Sequence, residues 1–349
     1  MAMAEVTVRG AGIFGLAVAW ECLRRGARVR VIDPGGRGAG SSGGIVGALA
    51  PHVPENWNDK KQFQLDALLM AEGWWQEVAE AGGGDPGYAR SGRLQPVADD
   101  HALALARARI ETARELWAGH AAWEVIPESE AGDWRPLSPT GWLIRDTLSA
   151  RMHPRRACDA LARAITARGG EIVTEGATRG AVIHATGWRG FDALNDAFGR
   201  AVGNGVKGQA ALLDLAMPDA PQLFAEGIHV VPHADGTTAI GSTSEREFDA
   251  PDSTDAQLDD VIARARAAVP ALAGAQVLER WAGVRPRARS RAPMLGAHPL
   301  HPGEFIANGG FKIGFGMAPK VGAVMAALIL DGRDEIPAPF RPEASLPGA

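Results

Sequence analysis

The stretch EVTVRGAGIFGLAVAWECLRRGARVRVID, residues 5–33, decides the fold predicted for this chain. It reads as a β-strand, a glycine turn, an amphipathic helix from about residue 12 to 25, and a second strand that ends in an acid. Gly10, Gly12 and Gly15 form G-x-G-x-x-G between strand and helix, where a tight turn and a free helix N-terminus accommodate a pyrophosphate. Asp33 is placed to accept hydrogen bonds from ribose hydroxyls. The unit therefore predicts a dinucleotide-binding site.

Composition indicates a globular enzyme without a nucleic-acid partner. The chain is 46% hydrophobic and 22% charged, and its net charge of −5 gives no general attraction to nucleic acid or anionic membrane. We expect no signal peptide, because the first strand begins at once, and no membrane span, because no apolar run approaches ~20 residues. Cys22 and Cys158 are the only cysteines, which favours a reducing cytoplasm and excludes a cysteine-based zinc site.

A segment rich in glycine and serine, residues 34–51, follows the acid. One interpretation is a flexible linker. The other, which we favour from its position, is a second wall of the cofactor site, where small residues permit close approach. The hydroxyls of Ser41 and Ser42 would then reach phosphate oxygens.

The remaining pattern predicts an α/β protein whose two domains interleave along the chain. A Rossmann-type domain is expected over 1–85, 150–205 and 281–349, and an α+β substrate domain on an antiparallel sheet over 86–149 and 206–280. A turn in the middle of residues 228–241 predicts a hairpin. Further helices are expected at 66–81, 100–120, 155–168, from a cap at Ser253 or Thr254 to about Val269, and from near Ala318-Pro319, with proline in its first turn.

Motifs along nearly the whole chain resemble the FAD-dependent D-amino-acid oxidase superfamily, and within it the glycine oxidase and sarcosine oxidase branch. The glycine-rich segment at 41–51, HPRRACDALARAITARGGEI at 153–172, VIHATGW at 182–188 and GVKGQ at 205–209 contribute. The more specific segments are IHVVPHADGTTAIGST at 228–243, GVRPRARSRAPMLG at 283–296 and NGGFKIGFGMAP at 308–319.

The resemblance implies FAD in an extended conformation. Its ADP half would lie at the first glycine turn and Asp33, its pyrophosphate near Ser42, its adenine near Val173, and its isoalloxazine ring near Gly47 and Ala48. Backbone N–H groups of the loop 312–316 would face the flavin O2 edge, where a helix N-terminus or Lys312 stabilises negative charge. The implied cofactor-binding residues are Gly10, Gly12, Ile13, Phe14, Gly15, Asp33, Pro34, Ser41, Ser42, Gly47, Ala48, Val173, Ala185, Gly187, Trp188, Gly310, Lys312, Ile313, Gly314, Phe315 and Gly316.

Arg285 matches the family arginine that holds the substrate carboxylate, a role suited to its two-donor fork. A structural salt bridge is the alternative. Arg287, Arg289 and Arg291 alternate with it, as a solvated face or as a contact for a second anionic group. The tyrosine that usually begins the YIVP-like strand is replaced by His229, which we take as a second catalytic candidate able to act as acid or base near neutral pH. A histidine merely packed between domains is the alternative.

We therefore expect oxidation of the C–N bond of a small amino acid or secondary amine, with hydride passing from Cα to flavin N5 and imine hydrolysis following. The acceptor is oxygen or, alternatively, a quinone or carrier. A tRNA wobble-uridine-modifying oxidase and a non-catalytic flavin-binding protein are further alternatives, and a homo-oligomer stays open. No metal site is expected, because His229 and His233 on a strand, and His298 and His301 in a loop, lack accompanying ligands.

Overall fold

The computed structural model describes residues 3–346, so residues 1–2 and 347–349 of the predicted Rossmann-type domain lie outside the described residues. Seven helices occur in this part of the chain. They are α1 (Ile13–Arg24), α2 (Asp59–Gly82), α3 (Asp100–Leu116), α4 (Pro154–Ala167), α5 (Gly190–Phe198), α6 (Ala256–Ala268) and α7 (Gly314–Asp331).

Sixteen strands accompany these helices within residues 3–346. They are β1 (Glu5–Arg9), β2 (Arg28–Ile32), β3 (Ala48–Leu49), β4 (Arg93–Pro96), β5 (Trp123–Pro127), β6 (Trp142–Asp146), β7 (Ala150–Arg151), β8 (Glu171–Val173), β9 (Ala181–His184), β10 (Gly203–Asp214), β11 (Gln222–Ala225), β12 (Ile228–Pro232), β13 (Thr237–Gly241), β14 (Gln276–Ala288), β15 (Met294–Ala297) and β16 (Phe305–Asn308).

A six-stranded sheet holds the predicted dinucleotide unit. Its strand order is β15-β16-β9-β1-β2-β8, and only β15 runs antiparallel to its neighbour. Strand β1 lies at the centre, with Val8 opposite Val31 on one side and Ile183 on the other. Parallel strands joined through helices are the arrangement of a doubly wound nucleotide-binding fold, which confirms the predicted Rossmann-type α/β class.

The largest hydrophobic core lies between this sheet and α1, α2, α4 and α7. Its largest fully buried side chains include Trp20 and Trp75. Helix α7 is long and apolar enough to pass a test for a membrane-spanning helix, but most of it is buried against the other helices. Its position in the core accounts for its apolar composition.

A second sheet of eight strands, ordered β14-β10-β13-β12-β11-β4-β6-β5, carries the remaining half of the fold. All its pairs are antiparallel except β4 with β11, which confirms an antiparallel sheet as the frame of the second half. Strands β12 and β13 form the predicted hairpin. Helix α6 covers this sheet with Leu258, Val261 and Ile262. The whole of β14, to Ala288, belongs to this sheet.

Three predicted helix boundaries were wrong. Helix α2 begins at Asp59 rather than 66, because the Asn58 side chain accepts a hydrogen bond from the Lys61 N–H and caps an earlier turn. Helix α6 is capped by Asp255, not Ser253 or Thr254. Helix α3 ends at Leu116, before the predicted residue 120.

The start of α7 was also predicted wrongly. The helix begins at Gly314, so Pro319 lies inside it rather than in its first turn. Proline lacks the N–H that would bond to the carbonyl one turn earlier. The consequence for the site is that the second glycine loop leads directly into the helix.

Candidate active site

The first glycine turn is packed so closely that it excludes side chains. A Cβ at Gly10, whose φ is +111°, would lie 2.2 Å from the Ala185 carbonyl oxygen, and one at Gly15 would lie 1.9 Å from the Gly10 oxygen. A Cβ at Gly12 would meet Ser42 Oγ at 3.2 Å. The turn therefore presents bare backbone at the start of α1, as a phosphate site requires.

Asp33 and Ser42 fix this turn from outside. The Ala11 N–H donates to Asp33 Oδ2 at 2.7 Å, and the Gly35 N–H donates to Oδ1 at 2.9 Å. The Ile13 N–H donates to Ser42 Oγ at 3.0 Å. The Asp33 N–H donates to the Val173 carbonyl at 3.0 Å, which places β8 beside the acid. The first glycine turn, Asp33, Ser42 and Val173 are thus brought together.

Two helix N-termini converge beside this turn. A Cβ at Gly310 would lie 2.9 Å from Phe14 Cζ, and one at Gly314 would lie 3.5 Å from Ile13 Cγ2, so the second glycine loop packs on the first turn of α1. Neither α1 nor α7 has an acidic residue in its first turn, and neither of the residues that precede them, Gly12 and Ile313, caps the helix with its own side chain. Ser42 already accepts from the Ile13 N–H of α1, so the other N–H groups of its first turn and those of α7 remain for an anion, together with a partial positive charge.

The other predicted cofactor residues lie around these turns. Gly47, with φ +68°, leads into β3, and a Cβ there would lie 1.8 Å from the Met152 carbonyl oxygen. The Ala185 N–H donates to the Arg9 carbonyl at 2.7 Å, so Ala185 extends the sheet beside Gly10. The Gly187 carbonyl accepts from Asn308 Nδ2 at 2.8 Å. Trp188 instead packs its ring against Phe248, with centroids 6.2 Å apart, on the side of the second sheet.

Arg285 projects from β14 as a buried cation without a carboxylate partner. Its Nη2 donates to Ser242 Oγ at 2.7 Å and to the Thr243 carbonyl at 3.1 Å. Its Nη1 is buried and has no hydrogen-bond partner among residues 3–346. Gly208 makes room for it, because a Cβ there would lie 1.4 Å from Nη2.

The charge of Arg285 survives this burial. Burial lowers the pKa of Arg285 to about 10, and the nearby Glu245 carboxylate opposes that decrease. The side chain therefore stays protonated at neutral pH, and its free Nη1 can donate to an incoming anion. No carboxylate pairs with Arg285 among residues 3–346, so the described chain gives no support to the alternative of a structural salt bridge.

His229 lies in the neighbouring part of the same sheet. His229 on β12 pairs with Gly241 on β13, the residue that precedes Ser242. The Nδ1 atom of His229 is buried without a hydrogen-bond partner among the described residues. Burial, with the charges of Arg93 and Lys312, lowers the pKa of His229 to about 3. The ring is therefore neutral near pH 7, so the expectation of a histidine titrating near neutral pH is not supported.

Phe311 and Lys312 join the second glycine loop to β14. The Phe311 N–H donates to the Pro286 carbonyl at 2.9 Å, and its ring lies 6.0 Å from Arg285 Cζ, 5.4 Å from Arg287 Cζ and 5.8 Å from Lys312 Nζ. Burial and the two arginine charges lower the pKa of Lys312. Sequence reasoning missed Phe311, although a bulky residue within a glycine loop, here with φ +43°, was a usable signal.

The sequence model of the FAD dependent oxidoreductase family, DAO, matches residues 5–328. The chain belongs to this family. It is an FAD-dependent oxidoreductase, as the resemblance implied.

Its relatives include two glycine oxidases. The enzyme of Pseudomonas putida is 29% identical over 98% of this chain and 99% of its own length, and that of Geobacillus kaustophilus is 25% identical over 93% and 92%. The solved structure of the Geobacillus glycine oxidase has a TM-score of 0.83 at 22% identity, covering 97% and 98% of the two chains. Iminodiacetate oxidase of Chelativorans sp. BNC1 has a TM-score of 0.81 at 23% identity, with the same coverage. These similarities establish the fold.

The site of this DAO-family chain fits FAD. A Cβ at Gly10 or Gly12 would meet Ala185 or Ser42, so the turn is bare backbone, and the N-termini of α1 and α7 beside it suit a pyrophosphate and an electron-rich ring edge. The position of the first turn of α7 beside the first glycine turn was not anticipated, since sequence reasoning had placed the start of this helix later.

A group of histidines corrects one expectation about this DAO-family protein. His298 and His301 do not lack a companion, because the end of β9 brings His184 to them, with the ligand atoms all within 4.8 Å of one another. The sequence could not show this, since His184 lies on a different strand. His233 is separate: its Nε2 lies 2.8 Å from the Ile45 carbonyl, a structural contact.

Proposed function

We propose that this chain oxidises the C–N bond of a small amino acid or secondary amine. The observation that carries the proposal is Arg285, a buried cation whose Nη1 has no partner and which no carboxylate neutralises within residues 3–346. Glycine oxidases and iminodiacetate oxidase, to which the chain is similar, are named for substrates that contain both an amine and a carboxylate. A substrate carboxylate bound to Arg285 is the simplest explanation of both observations.

In this proposal some residues bind and orient the substrate, and others stabilise charge on the cofactor. FAD, when bound, accepts a hydride from the carbon attached to nitrogen, and the imine product is then hydrolysed by water. Arg285 binds the substrate carboxylate and thereby orients the Cα–H bond. His229, neutral in this site, borders the substrate as a hydrogen-bonding group in place of the usual tyrosine. Lys312 and the α7 N-terminus stabilise negative charge at the flavin O2 edge.

We further propose that the predicted cofactor-binding residues hold FAD as the resemblance implies. The α1 N-terminus with Ser41 and Ser42 binds the pyrophosphate, and Asp33, Pro34 and Val173 border the adenosine half. Gly47 and Ala48 would border the isoalloxazine ring. The two-domain division at residues 85, 150, 205 and 281 is part of the same proposal, although β14 (Gln276–Ala288) runs across the last of these boundaries. A cytoplasmic location is also proposed, supported by two free, buried cysteines.

The test is an anaerobic absorbance spectrum of the FAD-loaded protein while glycine, sarcosine, D-amino acids and N-substituted amino acids are added in turn. Bleaching of the oxidised flavin band by one of these compounds is the expected result. Readmitting air then separates an oxidase, which recovers its colour, from a dehydrogenase that needs a quinone or carrier. A loaded protein that no amine bleaches would contradict the proposal.

Arg285→Lys and Arg285→Ala sharpen this test. The lysine keeps the charge but lacks the two-donor fork, so it should retain part of the carboxylate affinity that alanine loses. Equal KM values for both variants and the unchanged protein would show that Arg285 does not bind the substrate.

A further inference from the structure

A basic pocket of about 240 Å³ opens at the end of β14, next to the Arg285 site. Four of its six lining residues are arginines, and none is acidic. Guanidinium groups that converge on one cavity create a positive potential that concentrates anions. The lining residues are Asn204, Arg246, Arg287, Ala288, Arg289 and Arg291.

These charges lack carboxylate partners in the described chain. None of the four arginines forms an ion pair there, and neither do Lys60 and Lys312 beside them. Acidic residues exceed basic ones by five over the whole sequence, so carboxylates are not scarce. Elsewhere on β14 the same residue type is paired, since Arg280 lies 2.7 Å from Asp259. The uncompensated charge is therefore a local feature of this pocket.

The positive charges in and beside the pocket also repel one another. The pKa of Arg287 is lowered by burial and by the charges of Arg291 and Arg246. The pKa of Lys60 is lowered by burial and by Arg291 and Arg287, and its Nζ donates to the Arg291 carbonyl. Binding an anion would relieve this repulsion.

The pocket adjoins the proposed carboxylate site at Arg285 through Arg287, one of its lining residues. Arg287 follows it by two residues on the same face of β14, a separation of about 6.5 Å along a strand. The Phe311 ring lies within about 6 Å of both guanidinium groups. Both arginine charges also lower the pKa of Lys312, so the three cations are neighbours. A small molecule that reaches Arg285 with one acid group can reach Arg287 with another.

We propose that the pocket of Arg287, Arg291 and Arg246 binds a second anionic group of the substrate. The preferred substrates are then amino acids or secondary amines that carry two acid groups. This inference rests on the proposed function, because it takes Arg285 as the site of the first carboxylate.

The experiment measures binding rather than turnover. Glutarate and propionate contain no amine, so they cannot be oxidised, and their binding to the FAD-loaded protein is followed by the perturbation of the flavin spectrum. We expect glutarate to bind at least about tenfold more tightly than propionate, as one additional charge-assisted contact implies. Arg287→Leu, or Arg291→Leu if the first variant does not fold, should bring that ratio toward one.

Arg280→Leu is the matched control. It removes one positive charge from the same strand at a position paired with Asp259, and the glutarate-to-propionate ratio should stay unchanged. Equal affinities in the unmodified protein, or an equal loss of both acids in the Arg287 variant, would overturn the inference. Glutarate preference in a protein whose flavin no amine reduces would overturn the proposed function alone. Failure of both acids to bind would reject Arg285 as a carboxylate site and both proposals with it.

A second, independent observation is the group of His184, His298 and His301. Their ring centroids lie 4.4–5.1 Å apart, and the potential ligand atoms lie within 4.8 Å of one another. His184 ends β9, while the other two belong to the turn between β15 and β16. The Glu304 carboxylate, from the same turn, hydrogen-bonds His184 Nε2. A carboxylate that fixes a ligating imidazole recurs in protein metal sites.

We infer that these histidines bind a divalent transition-metal ion of the zinc type, for which imidazole is a preferred ligand. The ion would join the β15–β16 turn to β9. Calorimetric titration of the metal-free holoenzyme with Zn²⁺ should show one site per chain, and the unfolding temperature should rise with Zn²⁺ and fall again with EDTA.

Variants test the assignment of these ligands. His298→Ala should abolish the saturable site, and Glu304→Gln should weaken it by about tenfold or more. His101→Ala, a substitution on α3 outside the group, is the control. Zinc binding that is absent, or that is equal in the His298 and His101 variants, would overturn this inference.

Discussion

Two buried arginines of the same eight-stranded sheet have opposite surroundings. Arg93 on β4 stands opposite Asp146 on β6, with Nε 2.9 Å from Oδ2, and the aspartate also accepts from the N–H and Oγ of Ser149. Arg285 on β14 is equally buried but has only a hydroxyl and a carbonyl as partners. A buried charge without a counter-charge is costly, and the substrate carboxylate proposed to bind at Arg285 would supply that counter-charge.

The largest expected effect is on the paired arginine. Asp146→Ala leaves Arg93 buried without its carboxylate and should destabilise the protein by about 3–5 kcal/mol. Chemical denaturation of the holoenzyme measures this loss. Asp146→Asn, which keeps hydrogen-bonding capacity, should lose less, and an unchanged denaturation midpoint for Asp146→Ala would show that the pair is not a structural element.

Arg285→Ala should act in the opposite way. The KM for an oxidised amino acid should rise about 100-fold, since the charge-assisted hydrogen bonding of Nη1 to the carboxylate is lost. Stability should stay the same or increase, because a desolvated, unpaired cation is removed. Steady-state kinetics and a denaturation curve on the same preparation test both parts. A large loss of stability would place Arg285 in the same class as Arg93.

Gly208→Ala should reproduce a weaker form of the same defect. Its Cβ would lie 1.4 Å from Arg285 Nη2, so the guanidinium must move away from its present contacts. We expect KM to rise about tenfold, in the range of one displaced charge-assisted hydrogen bond. Gly73→Ala is the control, because a Cβ there meets nothing within 4 Å in the middle of α2. An unchanged KM in Gly208→Ala would show that the position of Arg285 is not critical.

The smallest expected effect concerns pH. The folded-state pKa of His229 is about 3, below the ordinary value of 6.5, so between these values the unfolded chain takes up a proton that the folded one does not. Stability should therefore fall as pH decreases below 6.5, with His229 contributing about 1.4 kcal/mol per pH unit. His229→Gln should flatten this slope in denaturation curves from pH 7 to 5. An unaltered slope would indicate a histidine that titrates normally in the folded state.

Sequence reasoning succeeded where chemistry is local. The first glycine turn, α1 and β2 are contiguous, and their spacing alone predicts a nucleotide-binding unit. Arg285 was reached through the family resemblance, but its free Nη1 was not, because that depends on Ser242, Thr243 and Gly208 from other strands. The pairing of β9 with β16, two strands distant in the sequence, likewise brings His184 beside His298, which sequence reasoning did not predict.

The start of α7 failed for a different reason. Proline favours a first helical turn, but the chain tolerates Pro319 one turn later and opens the helix with two glycines instead. The error displaced the helix N-terminus by about one turn from its observed position, where Gly314 packs beside Ile13 of α1.

The close approach of Gly310 to Phe14 means that the proposed cofactor site is complete only when residues about 300 positions apart in the sequence have come together. During synthesis the glycine turn of β1 and α1 leaves the ribosome first, and it must wait for α7 before the second helix N-terminus is in place. Contacts between such distant segments form slowly. A nascent chain that stops before residue 310 would therefore lack one of the two helix N-termini of the proposed flavin site.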